Sequence, residues 1–170
     1  VILLAVIWWI KTANRFRHWE NKIREAASGI EIALVNRFDM LTKLKNVAVG
    51  YAGHEKTVLA EVIELRRGMS LGELSDASRK MDALQSGIHL TAEAYPELRS
   101  SETFTELQSG IRDAEAHLQA ARRLYNSQVT AFNTALEVFP SSLVGHAQKL
   151  TRQELFAADA AKAGDVSMQF

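Results

Sequence analysis

The chain has 170 residues, 47% hydrophobic and 24% charged, a length and balance that fit one domain with a real core and exclude a disordered chain or a polytopic membrane protein. Lys+Arg and Asp+Glu both number 20, so no global field recruits nucleic acid, and the absence of cysteine removes disulfides, thiolate metal sites and a Cys nucleophile. Its 2 prolines and 9 glycines are too few turn signals for a sandwich or barrel of many short strands.

The first ten residues, Val1, Ile2, Leu3, Leu4, Ala5, Val6, Ile7, Trp8, Trp9 and Ile10, carry no polar side-chain atom except the indole nitrogens. As a helix this run spans about 15 Å, half a hydrocarbon core. It is therefore expected to be the C-terminal part of a transmembrane helix that starts upstream, with Trp8 and Trp9 in the aromatic belt. A basic flank follows: Lys11, Arg15, Arg17, Lys22 and Arg24, with only Glu20 opposing before Glu25. By the positive-inside rule that flank, and everything after it, is cytoplasmic. A signal-peptide reading fails because the basic residues follow the apolar run and no small-residue cleavage site comes next. Two adjacent Trp in a wholly apolar decamer also argue against a core helix.

Downstream, apolar residues recur at helical spacing. Ile23, Ala27, Ile30, Leu34, Phe38, Leu41, Leu44 and Ala48 predict one long helix continuing from the anchor, weakened near Gly50 and Gly53. Val58, Val62 and Leu65 predict a shorter helix. Leu71, Leu74, Ser78, Met81, Leu84, Ile88 and Ala92 predict another, ending at Tyr95-Pro96. The last long helix carries Phe104, Leu107, Ile111, Ala114, Leu118, Ala121, Tyr125, Val129, Phe132, Leu136 and Phe139, starts near Ser101-Glu102 and stops at Phe139-Pro140. Leu143 to Phe156 is expected to add a short helix, and the end from Ala157 to be loose. The fold class is thus all-α, a long-helix antiparallel bundle of about four helices with an N-terminal transmembrane helix end. Its expected parts are the anchor (1–10), a basic juxtamembrane helix (11–22), the bundle (23–143) and a C-terminal extension (144–170).

Catalytic signatures are sparse. His54-Glu55 is half of a zinc-binding H-E-x-x-H, but Val58 stands where the second ligand belongs. The five histidines, His18, His54, His89, His117 and His146, include no pair three or four apart, so no helical face presents two ligands. Phosphate-binding glycine loops and the G-x-S-x-G turn are absent, and no cofactor is expected. More informative are polar residues beside the core stripes. Arg122, Asn126 and Asn133 share one side of the last long helix, next to Tyr125 and Phe132, while Arg37 and Asp39 flank Phe38 on the first. They are expected to form a buried network that fixes helix register against the first helix, or else a polar groove for a peptide or lipid headgroup.

Several of these residues carry a resemblance. Gly50-Tyr51-Ala52-Gly53-His54-Glu55 resembles the G-Y-A-x-H-E motif of the LemA family. Arg37-Phe38-Asp39-Met40-Leu41-Thr42-Lys43-Leu44 looks like its R-x-D-L-L-x-x-L stretch, with Thr-Lys where many members have Pro-Asn. Tyr95-Pro96-Glu97-Leu98, Phe104-Thr105-Glu106-Leu107-Gln108, Ala121-Arg122-Arg123-Leu124-Tyr125-Asn126 and Phe139-Pro140 are similar to its Y-P-[DE]-L, F-x-x-L-Q, A-R-x-x-Y-N and F-P motifs. Phe132-Asn133 stands where the family usually has Tyr-Asn, keeping the ring and losing the hydroxyl. The matches come in family order from about Asn21 to Leu143.

The resemblance implies an N-terminal membrane helix, a helical bundle, and no established enzyme activity or cofactor. Because family members are often encoded beside membrane zinc proteases, it also implies an adaptor or membrane-organising role. The expectation is a non-enzymatic scaffold, single-pass in a bacterial inner membrane with its bundle on the cytoplasmic side, whose partners are membrane lipid and another membrane protein such as a zinc metalloprotease. A lipid-headgroup-binding module is the alternative, and a metal-dependent enzyme using His54 and Glu55 a weaker one. Copies sharing a membrane are parallel and locally concentrated, so a homo-oligomer through roughly Trp8 to Ile23 is expected.

Overall fold

The computed structural model describes residues 2–52, 63, 65, 66 and 68–156, and among them there is helix and no strand. The elements in order are α1 (Ile2–Ala52), α2 (Leu71–Ala94), α3 (Pro96–Arg99), α4 (Glu102–Glu137) and α5 (Ser141–Ala147). The long first helix appears as the spacing predicts and runs past Ala48 through Gly50, where a Cβ would meet nothing and the backbone is merely less favoured. Of the shorter helix expected from Val58, Val62 and Leu65, the first two positions lie outside the described residues, and Leu65 is not helical.

Ser70 starts α2 with a capping box. Its hydroxyl accepts from the Glu73 N–H, and the Glu73 carboxylate accepts from the Ser70 N–H at 2.7 Å. Tyr95 ends the helix, because the residue before proline avoids the helical region. Pro96 then opens α3 at the position where proline's missing N–H costs nothing. At the far end of the chain α5 stops in a Schellman turn. The Leu150 N–H donates to the Gly145 carbonyl and the Lys149 N–H to the His146 carbonyl, both at 3.0 Å. Lys149 occupies the left-handed position (φ 55°) where glycine is usual.

The chain divides into two compact units, residues 1–28 with 121–170, and residues 29–120, so α1 and α4 each contribute to both. In the first unit Phe16 is fully buried, edge-on to Phe132 with ring centroids 5.8 Å apart. Gly145 lets α5 approach closely; a Cβ there would come within 2.5 Å of Leu136 Cδ2. Val144 and Phe156 complete this core. In the second unit Ile30, Leu34, Leu41, Leu44, Met81, Ile88, Leu98, Ile111 and Leu118 are buried, so the stripes read from periodicity are the core faces. Arg37 contacts Glu115, and Met40 lies where a Cβ on Gly110 would point, so α1 and α4 run antiparallel there.

Three expectations change. The N-terminal transmembrane helix end is unsupported: Ile2–Ile10 opens α1, and no helix among the described residues is long and apolar enough to cross a membrane. The described apolar run, Ile2–Ile10, is about half the length a span needs, and the cations Lys11, Arg15 and Arg17 follow it. Phe139, placed on the core stripe, is 75% exposed, because α4 ends two residues earlier and the stripe no longer faces the core. The helix expected from Leu143 to Phe156 is confined to α5, and residues 151–156 have no regular secondary structure.

Candidate functional site

Three groups of residues outside the ordinary core stand out. The first is the start of α1. Ile2, Leu3, Leu4, Val6, Ile7, Trp8, Trp9 and Ile10 are all exposed, Ile2 by 82% and the two indoles by about two-fifths. Val1 lies outside the described residues. Scattered exposed apolar residues are ordinary, but an unbroken run is not. An open groove beside it is lined by Trp8, Trp19, Val138, Phe139 and Pro140, which adds the exposed α4–α5 elbow to the apolar surface.

The basic flank follows on the same helix, and its five cations differ. Lys11, Arg15 and Arg17 are exposed. Arg15 also sits 5.0 Å from the centre of the Trp19 ring, a cation–π contact that leaves its charge available. Lys22 is paired with Glu25 at 2.9 Å, which holds that carboxyl below its ordinary value. Arg24 donates to Asn21 Oδ1 at 2.8 Å and shares a polar cleft with Arg17, Glu20 and Gln148.

The second group is centred on Arg37, only 3% exposed. Its Nη2 donates to Asp82 Oδ1 at 2.5 Å and to Gln85 Oε1 at 3.1 Å, both on α2. Its Nε lies 3.1 Å from Glu115 Oε2 on α4, an ion pair without an aligned hydrogen bond. One guanidinium thus ties three helices of the second unit. Asp39 is exposed, so of the motif's pair Arg37 and Asp39 only the arginine is buried.

The third group lies on α4 in the first unit. Asn133 makes two bonds to the main chain of one residue: its Nδ2 donates to the Gln153 carbonyl and its Oδ1 accepts from the Gln153 N–H, both at 2.9 Å. Asn126 does the same with Phe156, at 3.1 and 2.8 Å. Between them the Tyr125 hydroxyl donates to the Glu154 carbonyl at 3.1 Å, and burial, aided by the Glu154 charge, pushes its pKa up. The Arg122 guanidinium stacks 4.8 Å over the ring of Phe156, itself 2% exposed. The expected register network is therefore corrected: Asn126 and Asn133 spend both ends of their amides on the chain's own C-terminal segment, not on the first helix.

Of the remaining motif residues, Tyr51 is half exposed near the end of α1, while His54 and Glu55 lie outside the described residues. Among the described residues no group of three or more His, Asp or Glu could hold a metal ion. Phe16, Asp82, Glu115 and Phe156 were not singled out by sequence. Phe16 was within reach, since Phe16, Trp19 and Ile23 extend the first stripe upstream by steps of three and four. The others are brought in by packing alone.

The chain is similar to Protein LemA of Metamycoplasma hominis, 24% identical over 163 residues that cover 93% of this chain and 74% of that protein. The model of the LemA family matches residues 26–170, taking in the buried Arg37, the α2–α3 proline turn and the whole asparagine-bearing helix with the segment it holds. A family-model match over residues 26–170, most of the chain's length, shows that the chain belongs to the LemA family.

Proposed function

We propose that this chain is a non-enzymatic, membrane-associated scaffold, and that the start of α1 enters a lipid bilayer on the cytoplasmic side of a bacterial inner membrane. The observation that carries the reading is the unbroken exposed apolar run Ile2–Ile10 directly followed by the exposed cations Lys11, Arg15 and Arg17. Apolar residues gain by leaving water, the two indoles suit the headgroup level, and the cations suit anionic lipid just outside. The elbow residues Val138 and Phe139, beside the Trp8 groove, extend the surface that lipid would cover. Rigid helices beyond the anchor then present a polar surface to a partner, for which another membrane protein is the best candidate. A membrane protease is consistent with the family resemblance.

Flotation of the full chain with vesicles tests the anchoring. The chain should float with neutral vesicles, and more completely when phosphatidylserine is included. Ile7→Asp with Trp8→Ala should abolish flotation, and Lys11→Glu with Arg15→Glu should remove only the preference for anionic lipid. A chain that stays at the bottom of the gradient with both vesicle types overturns the reading.

A further inference from the structure

The amides of Asn126 and Asn133 are spaced to read an extended peptide. They stand two helical turns apart, about 10.5 Å along α4. Gln153 and Phe156, whose main-chain groups they hold, are three residues apart, about 10 Å in extended chain. Residue 126 takes residue 156 and residue 133 takes residue 153, so the segment runs antiparallel to the helix. The hydrogen bonds that Tyr125, Asn126 and Asn133 make with this segment go to main chain. The side chains of residues 153–155 are exposed, and only the Phe156 ring is buried, under Arg122. Recognition of this kind asks for an extended backbone and one aromatic anchor and little else, which is the logic of strand addition carried out by side chains.

We propose that this face of α4 is a docking site for an extended peptide segment with an aromatic anchor, occupied here by the chain's own residues 153–156 and able to take the same segment from a second copy. Beyond the chain's own segment, a second copy is the occupant whose chemistry the site already fits. Its segment satisfies both amides, the tyrosine and the arginine with no new contact, and only the connection differs. That connection is the turn after α5, where Lys149 is held at φ 55°, a conformation that costs a non-glycine residue energy. The segment is fastened by five hydrogen bonds from Tyr125, Asn126 and Asn133, by one ring, and by the surface ion pair of Arg152 with Glu137. The balance between a chain's own segment and that of a neighbour is then set by effective concentration, which rises where copies crowd together. The inference stands whether or not lipid gathers the copies.

Complementation between two full-length variants tests it. Asn126→Ala with Asn133→Ala leaves the segment intact and removes the clamp. Gln153→Pro with Phe156→Ala leaves the clamp intact and removes an N–H and the anchor. Alone, neither has both halves. Mixed, they should form a one-to-one pair by light scattering, and adding Asn126→Ala and Asn133→Ala to the second variant should abolish it. A mixture that behaves as the sum of its parts, with both variants helical by circular dichroism, overturns the proposal. Should either multiple variant lose its helix signal, the milder Phe156→Ala chain is titrated with a labelled peptide of residues 149–156. Binding at least ten-fold tighter than to the unsubstituted chain is expected, and equal binding to both overturns the idea that the site can be vacated and refilled.

Discussion

Arg37 shows what a single residue contributes. A guanidinium taken out of water is tolerated only when charges of opposite sign come with it. Here Asp82 and Glu115 supply them and keep partial access to solvent themselves. The two sides of the cluster should therefore respond unequally. Arg37→Met leaves two carboxylates that water can reach, whereas Asp82→Ala with Glu115→Ala leaves the cation buried with only Gln85. Urea unfolding should show the double acid variant losing about 3 kcal/mol or more and Arg37→Met clearly less. The reverse order would mean that the arginine is hydrated in solution.

A second residue, Glu73, links the fold to pH. The Ser70 N–H, and secondarily Arg66, hold its carboxyl at about 2 against an ordinary 4.5. A folded value below the unfolded one means that the capping box contributes fully above about pH 4.5 and is lost as pH falls toward about 2. A carboxyl NMR titration should place the Glu73 midpoint near the lower value, and Arg66→Ala should raise it only in part. A midpoint at the ordinary value would show that the cap is not formed.

At the level of elements, steps of three and four located α1, α2 and α4, because burial on one face is a local signal written into each helix. The capping box at Ser70-Leu71-Gly72-Glu73 was not singled out from the sequence, although S-x-x-E before an apolar run is a start signature. Phe139 was misplaced because periodicity does not say where a stripe leaves the core. Residues 151–156 were read as helix continuing past Leu143, and their true form is set by Asn126 and Asn133, some 20 to 30 residues away. Asp82 and Glu115 were hidden for the same reason: their role exists only once α2 and α4 pack on α1. The turn after α5 offers a test at this scale. Glycine adopts the left-handed position without the Cβ clash that lysine suffers, so Lys149→Gly should stabilise the chain by about 0.5 to 1 kcal/mol. A loss of stability would show that the Lys149 side chain contributes more than its backbone costs.

For the whole molecule, the unbroken exposed apolar stretch at the start of α1 is the feature on which the proposed membrane association rests. Ile2, Leu3 and Leu4 are each more than 70% exposed, while three of the polar motif residues are engaged within the fold: Arg37 with its acids, Asn126 and Asn133 with the C-terminal segment. Trp8 and Trp9 give the central claim a direct optical readout. In a Trp19→Phe chain they are the two remaining indoles. Their fluorescence should shift to the blue on adding anionic vesicles and be strongly quenched when the lipids carry bromine atoms near the headgroup end of the acyl chains. Emission that neither shifts nor is quenched, with the helix signal intact, would contradict the claim that the start of α1 lies in lipid.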